Sequence, residues 1–123
     1  MTRARKNTKG RIHFVGLGPG DPDLLTGGAR DALAVADVVV VDELDAAAAQ
    51  ALSEIEPLIA QPDPAAVAKV LVAEAKQGHM VVRLVSGDPL AHEETTKEIQ
   101  AVSRSSVPWR VIAGVAAQTA IPS

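Results

Sequence analysis

The sequence predicts an α/β fold, an open and mainly parallel sheet flanked by helices. Apolar runs with strand character alternate along the chain with helix-like segments. Val38-Val39-Val40-Val41 has no polar alternation, which suits a strand covered on both faces. Three of the runs end in a glycine loop or an acid, at Gly16, Asp42 and Gly87. Open parallel sheets bind ligands in the crevice beyond the carboxyl ends of their strands.

The elements follow in order. Residues 11–16 read as a first strand, with Ile12, Phe14 and Val15 apolar. Three glycines and two prolines force a loop over Gly16-Leu17-Gly18-Pro19-Gly20-Asp21-Pro22-Asp23. A helix over 24–36 is expected from the spacing of Leu25, Ala29, Leu33 and Ala36, with Asp21 or Asp23 as its cap. Residues 37–42 form a second strand, 46–55 a short helix, and Leu58-Ile59 a small strand. Asp63-Pro64 is a helix start, an acid at the cap followed by proline in the first turn. That helix runs to about Gln77 and stops at Gly78. A strand over 79–85, a tight Ser86-Gly87-Asp88-Pro89 loop, a helix over 95–103 and a strand over 108–112 complete the pattern, with a last helix opening at Val115.

The 123 residues are the usual size of one domain. Hydrophobic residues make up 47% and aromatics only 2%, so Ala, Val, Leu and Ile must fill the core. Charge is uneven: Arg3, Arg5, Lys6, Lys9 and Arg11 precede the first acid, Asp21. Residues 1–10 are expected to form a basic disordered tail ahead of a domain over 11–123. The acidic body argues against nucleic-acid binding, which calls for a basic face. With no cysteine, disulfides, thiolate metal sites and cysteine nucleophiles are excluded. His13, His79 and His92 have no metal-ligand spacing, so no metal is expected. No apolar run approaches the roughly 20 residues that span a bilayer, and no signal-peptide core follows the basic start. No membrane partner and a cytoplasmic location are the expectations.

The glycine loop has rivals to exclude. A dinucleotide fingerprint wants a third glycine three residues after Gly18, where Asp21 stands and would repel a pyrophosphate. A phosphate loop wants Gly-Lys-Ser/Thr before its helix, and this loop has no lysine. The run Gly16-Leu17-Gly18-Pro19-Gly20-Asp21-Pro22-Asp23-Leu24-Leu25-Thr26 instead resembles the opening motif of the tetrapyrrole methylase family. Three further segments are similar to that family's, in its order: the second strand ending at Asp42, Val82-Arg83-Leu84-Val85-Ser86-Gly87-Asp88-Pro89, and Val111-Ile112-Ala113-Gly114-Val115-Ala116-Ala117. The chain most resembles the branch that C-methylates uroporphyrinogen III, in its actinobacterial form, where a uroporphyrinogen-III synthase domain is fused or adjacent.

The resemblance implies two α/β domains, with S-adenosylmethionine folded in the cleft between them and leaving as S-adenosylhomocysteine. It implies a tetrapyrrole substrate methylated toward precorrin-2, for sirohaem and cobalamin. It implies cofactor contacts from Pro19, Ser86, Gly87, Asp88, Ala91, Ala116 and Ala117. Asp42 becomes the catalytic candidate, orienting pyrrole nitrogens or moving a proton. The second domain is not among these residues, so this piece alone is expected to be inactive, and the full-length protein to be a homodimer. The chain departs from the family pattern where Glu94 stands in the place of an arginine, Ala113 in that of a proline and Ala116 in that of a hydroxyl residue. Those departures keep two alternatives open: a non-catalytic S-adenosylmethionine-binding or interaction module, and a superfamily member with a different substrate.

Overall fold

The computed structural model describes residues 10–17, 27–42, 56–86 and 89–112. Five strands form one sheet: β1 (Arg11–Leu17), β2 (Val38–Val41), β3 (Leu58–Ile59), β4 (Met80–Ser86) and β5 (Trp109–Ile112). Their order is β3-β2-β4-β1-β5, and every pairing is parallel. Three helices flank the sheet: α1 (Gly27–Ala34), α2 (Pro64–Lys76) and α3 (Glu93–Ser103). The fold is the parallel α/β sheet that the sequence predicts. Residues 1–9 of the expected tail, the glycine loop from Gly18, the helix at 46–55 and the helix from Val115 lie outside the described residues. No described helix is long and apolar enough to cross a membrane.

Period-two alternation divides the core between the two faces of the sheet. Ile12, Phe14, Val40 and Val81 pack on one face against Val67, Leu71 and Ala75 of α2 and Ile99 and Val102 of α3. Val15, Val39, Val41, Val82 and Leu84 pack on the other against Ala29, Ala32 and Leu33 of α1. This double cover is what the unbroken valine run requires: Val39, Val40 and Val41 are all buried. Trp109 lies edge-on to Phe14, ring centroids 6.4 Å apart.

The boundaries have local causes. The Asp63 side chain accepts from the Ala65 N–H at 3.3 Å and starts α2, with Pro64 in the first turn. Gly78 ends it at φ 92°, where its N–H bonds the Ala75 carbonyl. The helix α3 begins two residues before the expected position, because Glu93 and Glu94 occupy its first turn. Acids there face the positive end of the helix dipole. Asp37 ties β2 to β4: its N–H donates to the Met80 carbonyl and its carboxylate accepts from the Met80 N–H, both at 2.8 Å.

Candidate functional site

The connections out of the two central strands diverge. From β1 the chain crosses β4 to reach β2, through α1 on one face. From β4 it crosses β1 to reach β5, through α3 on the other face. Such a reversal opens a crevice at the carboxyl ends of the two strands. Here β1 and β4 end in register, Gly16 opposite Val85 and Leu17 opposite Ser86. The two glycine-bearing motifs therefore leave the sheet from adjacent positions, although some 70 residues separate them in the chain.

Asp42 stands just past the end of β2, next to the same edge. Its neighbour on that face is Arg83, in register with Val40 and Phe14. A lone charge inside Val81-Val82-Arg83-Leu84-Val85 must find partners, because a buried unpaired ion is strongly disfavoured. Arg83 finds two. Its Nε and Nη2 donate to the two oxygens of Glu98 at 2.8 and 3.0 Å, a bidentate pair with both side chains 3% exposed. Nη2 also donates to Asp42 Oδ1 at 2.7 Å, and the Asp42 side chain is 64% exposed. Nη1 leans on the Val40 and Leu84 carbonyls at 3.5 and 3.4 Å. Burial works against the guanidinium charge, but the bonds to Glu98 and Asp42 outweigh it and hold the Arg83 pKa above its ordinary value.

These groups line a cavity of about 370 Å³ with Gln61, His92, Glu94 and Thr95. Glu94, the expected site of an arginine, thus shares a cavity with Asp42. Three carboxylates face one guanidinium there. Among the described residues, no group of three or more His, Asp or Glu side chains is arranged to hold a metal ion.

The sequence-predicted residues distribute as follows. Asp42 is in the cavity wall. Ser86 closes β4 beside Leu17. Ala91 ends a short 3₁₀ turn over Pro89–Ala91 and is exposed, while Pro89 is buried. Pro19, Gly87, Asp88, Ala113, Ala116 and Ala117 lie outside the described residues. Arg83 and Glu98 were not singled out from the sequence. Their signals are the charge in a buried strand and the position of Glu98 three residues after buried Thr95 on the inward face of α3.

Comparison with known proteins agrees with this arrangement. The chain is 32% identical over 126 residues to the S-adenosyl-L-methionine-dependent uroporphyrinogen III methyltransferase of Methanosarcina barkeri, covering 93% of this chain and 48% of that protein. The crystal structure of uroporphyrin-III-C-methyltransferase from Thermus thermophilus superposes with a TM-score of 0.76 at 35% identity, over 86% of this chain and 48% of that one. A structure of the Thermus thermophilus enzyme complexed with S-adenyl homocysteine gives 0.71 at 35% identity, over 85% and 45%. The chain spans about half the length of these relatives. The sequence profile of the tetrapyrrole (corrin/porphyrin) methylases matches residues 11–123, nearly the whole chain and every described strand and helix, and the chain belongs to that family.

Proposed function

We propose that the chain is the amino-terminal half of an S-adenosylmethionine-dependent enzyme that C-methylates uroporphyrinogen III toward precorrin-2, the route to sirohaem and cobalamin. One observation carries the reading: β1 and β4, the strands after which both motif loops follow in the sequence, end side by side, Leu17 opposite Ser86, at the reversal of the sheet. The residues there fit the cofactor. Ser86 and Asp88 bring a hydroxyl and a carboxylate for ribose hydroxyls or the ammonium group. Gly87 and the small, exposed Ala91 leave room for close approach. Pro19, Ala116 and Ala117 line the same cleft in this reading. When bound, S-adenosylmethionine supplies an electrophilic methyl group on a sulfonium. The protein's share is alignment and electrostatics. Asp42 orients a pyrrole N–H or accepts a proton from the tetrapyrrole, with its exposed carboxylate at the cavity rim.

The second wall of the cleft belongs to a second domain in this reading, so catalysis requires the full-length protein, which we expect to be a cytoplasmic homodimer. Calorimetric titration of that protein with S-adenosylhomocysteine tests the cofactor, and methylation of uroporphyrinogen III tests the substrate. Failure to bind S-adenosylhomocysteine overturns the enzyme reading. Glu94 in the cavity wall favours a second reading, a divergent member that binds the cofactor but methylates another tetrapyrrole or none. Cofactor binding without turnover of uroporphyrinogen III would select it.

A further inference from the structure

The geometry points to Arg83 as a positioning residue that holds Asp42 by one oxygen and presents the other to the cavity, with Glu98 as its buried counter-ion. The inference rests on the proposed role of Asp42 and adds to it. An arginine has five N–H donors, and all of those on Arg83 are committed inside the protein. Two go to Glu98, one to Asp42 and two lean on backbone carbonyls. Arg83 lines the cavity, yet it has no donor left for an incoming anion. A buried cation with every donor spent on its own chain orders that chain instead of capturing a ligand.

What it orders is asymmetric. Glu98 is sealed at 3% exposure and held through both oxygens, so the guanidinium cannot swing. Asp42 is 64% exposed and gripped only through Oδ1. Among the described residues Oδ2 has no hydrogen-bond partner. An aspartate just past a strand end would otherwise sample several rotamers. The 2.7 Å bond selects one and leaves a lone oxygen for an N–H or a proton. Thr95 and Glu94, also in the cavity wall, lie on the first turn of the helix that carries Glu98. That helix therefore fixes the guanidinium and one wall of the cavity together.

The test uses the full-length enzyme and three variants. In Arg83→Gln/Glu98→Gln both buried charges go, so neither is left unpaired. We expect this variant to keep S-adenosylhomocysteine affinity and tetrapyrrole KM within about twofold while kcat falls roughly tenfold to a hundredfold. A fall in kcat at unchanged KM marks a misplaced Asp42, whereas a merely structural loss would weaken cofactor and substrate binding as well. Glu98→Gln keeps Arg83 and its bond to Asp42 but loosens the guanidinium, so kcat falls less, by roughly threefold to tenfold, again with KM unchanged. Unchanged kcat in the foldable variants would overturn the positioning role, and Glu98→Gln alone decides if the double variant does not fold. Asp42→Asn separates the two readings. Full activity there overturns the role of Asp42 and with it this inference. Loss of activity there with parental kcat in the others overturns the positioning role alone.

Discussion

Replacing Arg83 with leucine should destabilise the protein more than replacing Glu98, and replacing both should restore most of the loss. Among the described residues Glu98 has a single cationic partner, Arg83, and it is almost sealed from water. Without Arg83 its charge is buried and unpaired, which costs about 5 kcal/mol, the upper end for a broken buried pair. Without Glu98, Arg83 still donates to Asp42 and to two carbonyls. The loss is then about 3 kcal/mol, the lower end of the same range. At roughly 4 °C per kcal/mol for a domain of this size, Tm falls by about 20 °C and 12 °C respectively. The double variant returns to within about 1 kcal/mol of the parent, because two leucines fit the surrounding valine, isoleucine and phenylalanine layer and leave only exposed Asp42 unpartnered. Urea unfolding followed by circular dichroism reads all three. Losses below about 1 kcal/mol in both single variants, or a double variant as weak as their sum, would refute the account of a sealed, mutually dependent pair.

Other outcomes follow from packing and charge. Leu71 is fully buried between α2 and the sheet, so Leu71→Ala should cost about 3 kcal/mol in the same urea assay. A Cβ added at Gly10 would run into the carbonyls of Ala75 and His79, both backbone, so Gly10→Ala should lower Tm by the equivalent of about 2 kcal/mol. His13 has its pKa held below the ordinary 6.5, first by burial and then by Arg11 and Arg110. The unfolded chain therefore binds a proton before the folded one does, and stability falls as pH drops from about 6.5 through the folded pKa. His13→Gln should flatten that part of a Tm-against-pH curve, and an unchanged slope would assign it to other groups.

The local pattern of the sequence was enough for most of the fold. Buried valine strands and the Asp63-Pro64 and Gly78 signals act over a few residues, and the elements form where those signals stand. The sequence pattern starts α3 at residue 95, two residues late, because Glu94 compared with a motif reads as a departure and Glu93 offers no apolar spacing. Physically they are acids suited to a helix amino terminus. The adjacency of β1 and β4 was not legible, since no local rule sets strand order. The Asp42–Arg83–Glu98 network was hidden for the same reason. Its members lie 41 and 15 residues apart and meet only when β2, β4 and α3 are assembled. The one local trace was an arginine inside a run that should be wholly apolar.

That network changes what the Glu94 departure means. A basic side chain absent from one place in a sequence is often replaced by another nearby in space, and Arg83 lines the same cavity. It does not compensate. Its donors are committed to Glu98, Asp42 and backbone carbonyls, and drawing those on Glu98 toward a ligand would leave a buried carboxylate without its partner. Among the described residues that line the cavity, an acidic arm therefore meets Asp42 and Glu94 and no lysine or second arginine. Under the proposed activity, the many carboxylates of uroporphyrinogen must point away from this wall, toward groups supplied by other parts of the full-length protein. What can approach Asp42 is the part of the macrocycle that offers hydrogen, its pyrrole N–H edge. Under the proposed activity, the charge pattern that disfavours the substrate's arms at this wall leaves its ring edge to face the exposed Asp42 carboxylate.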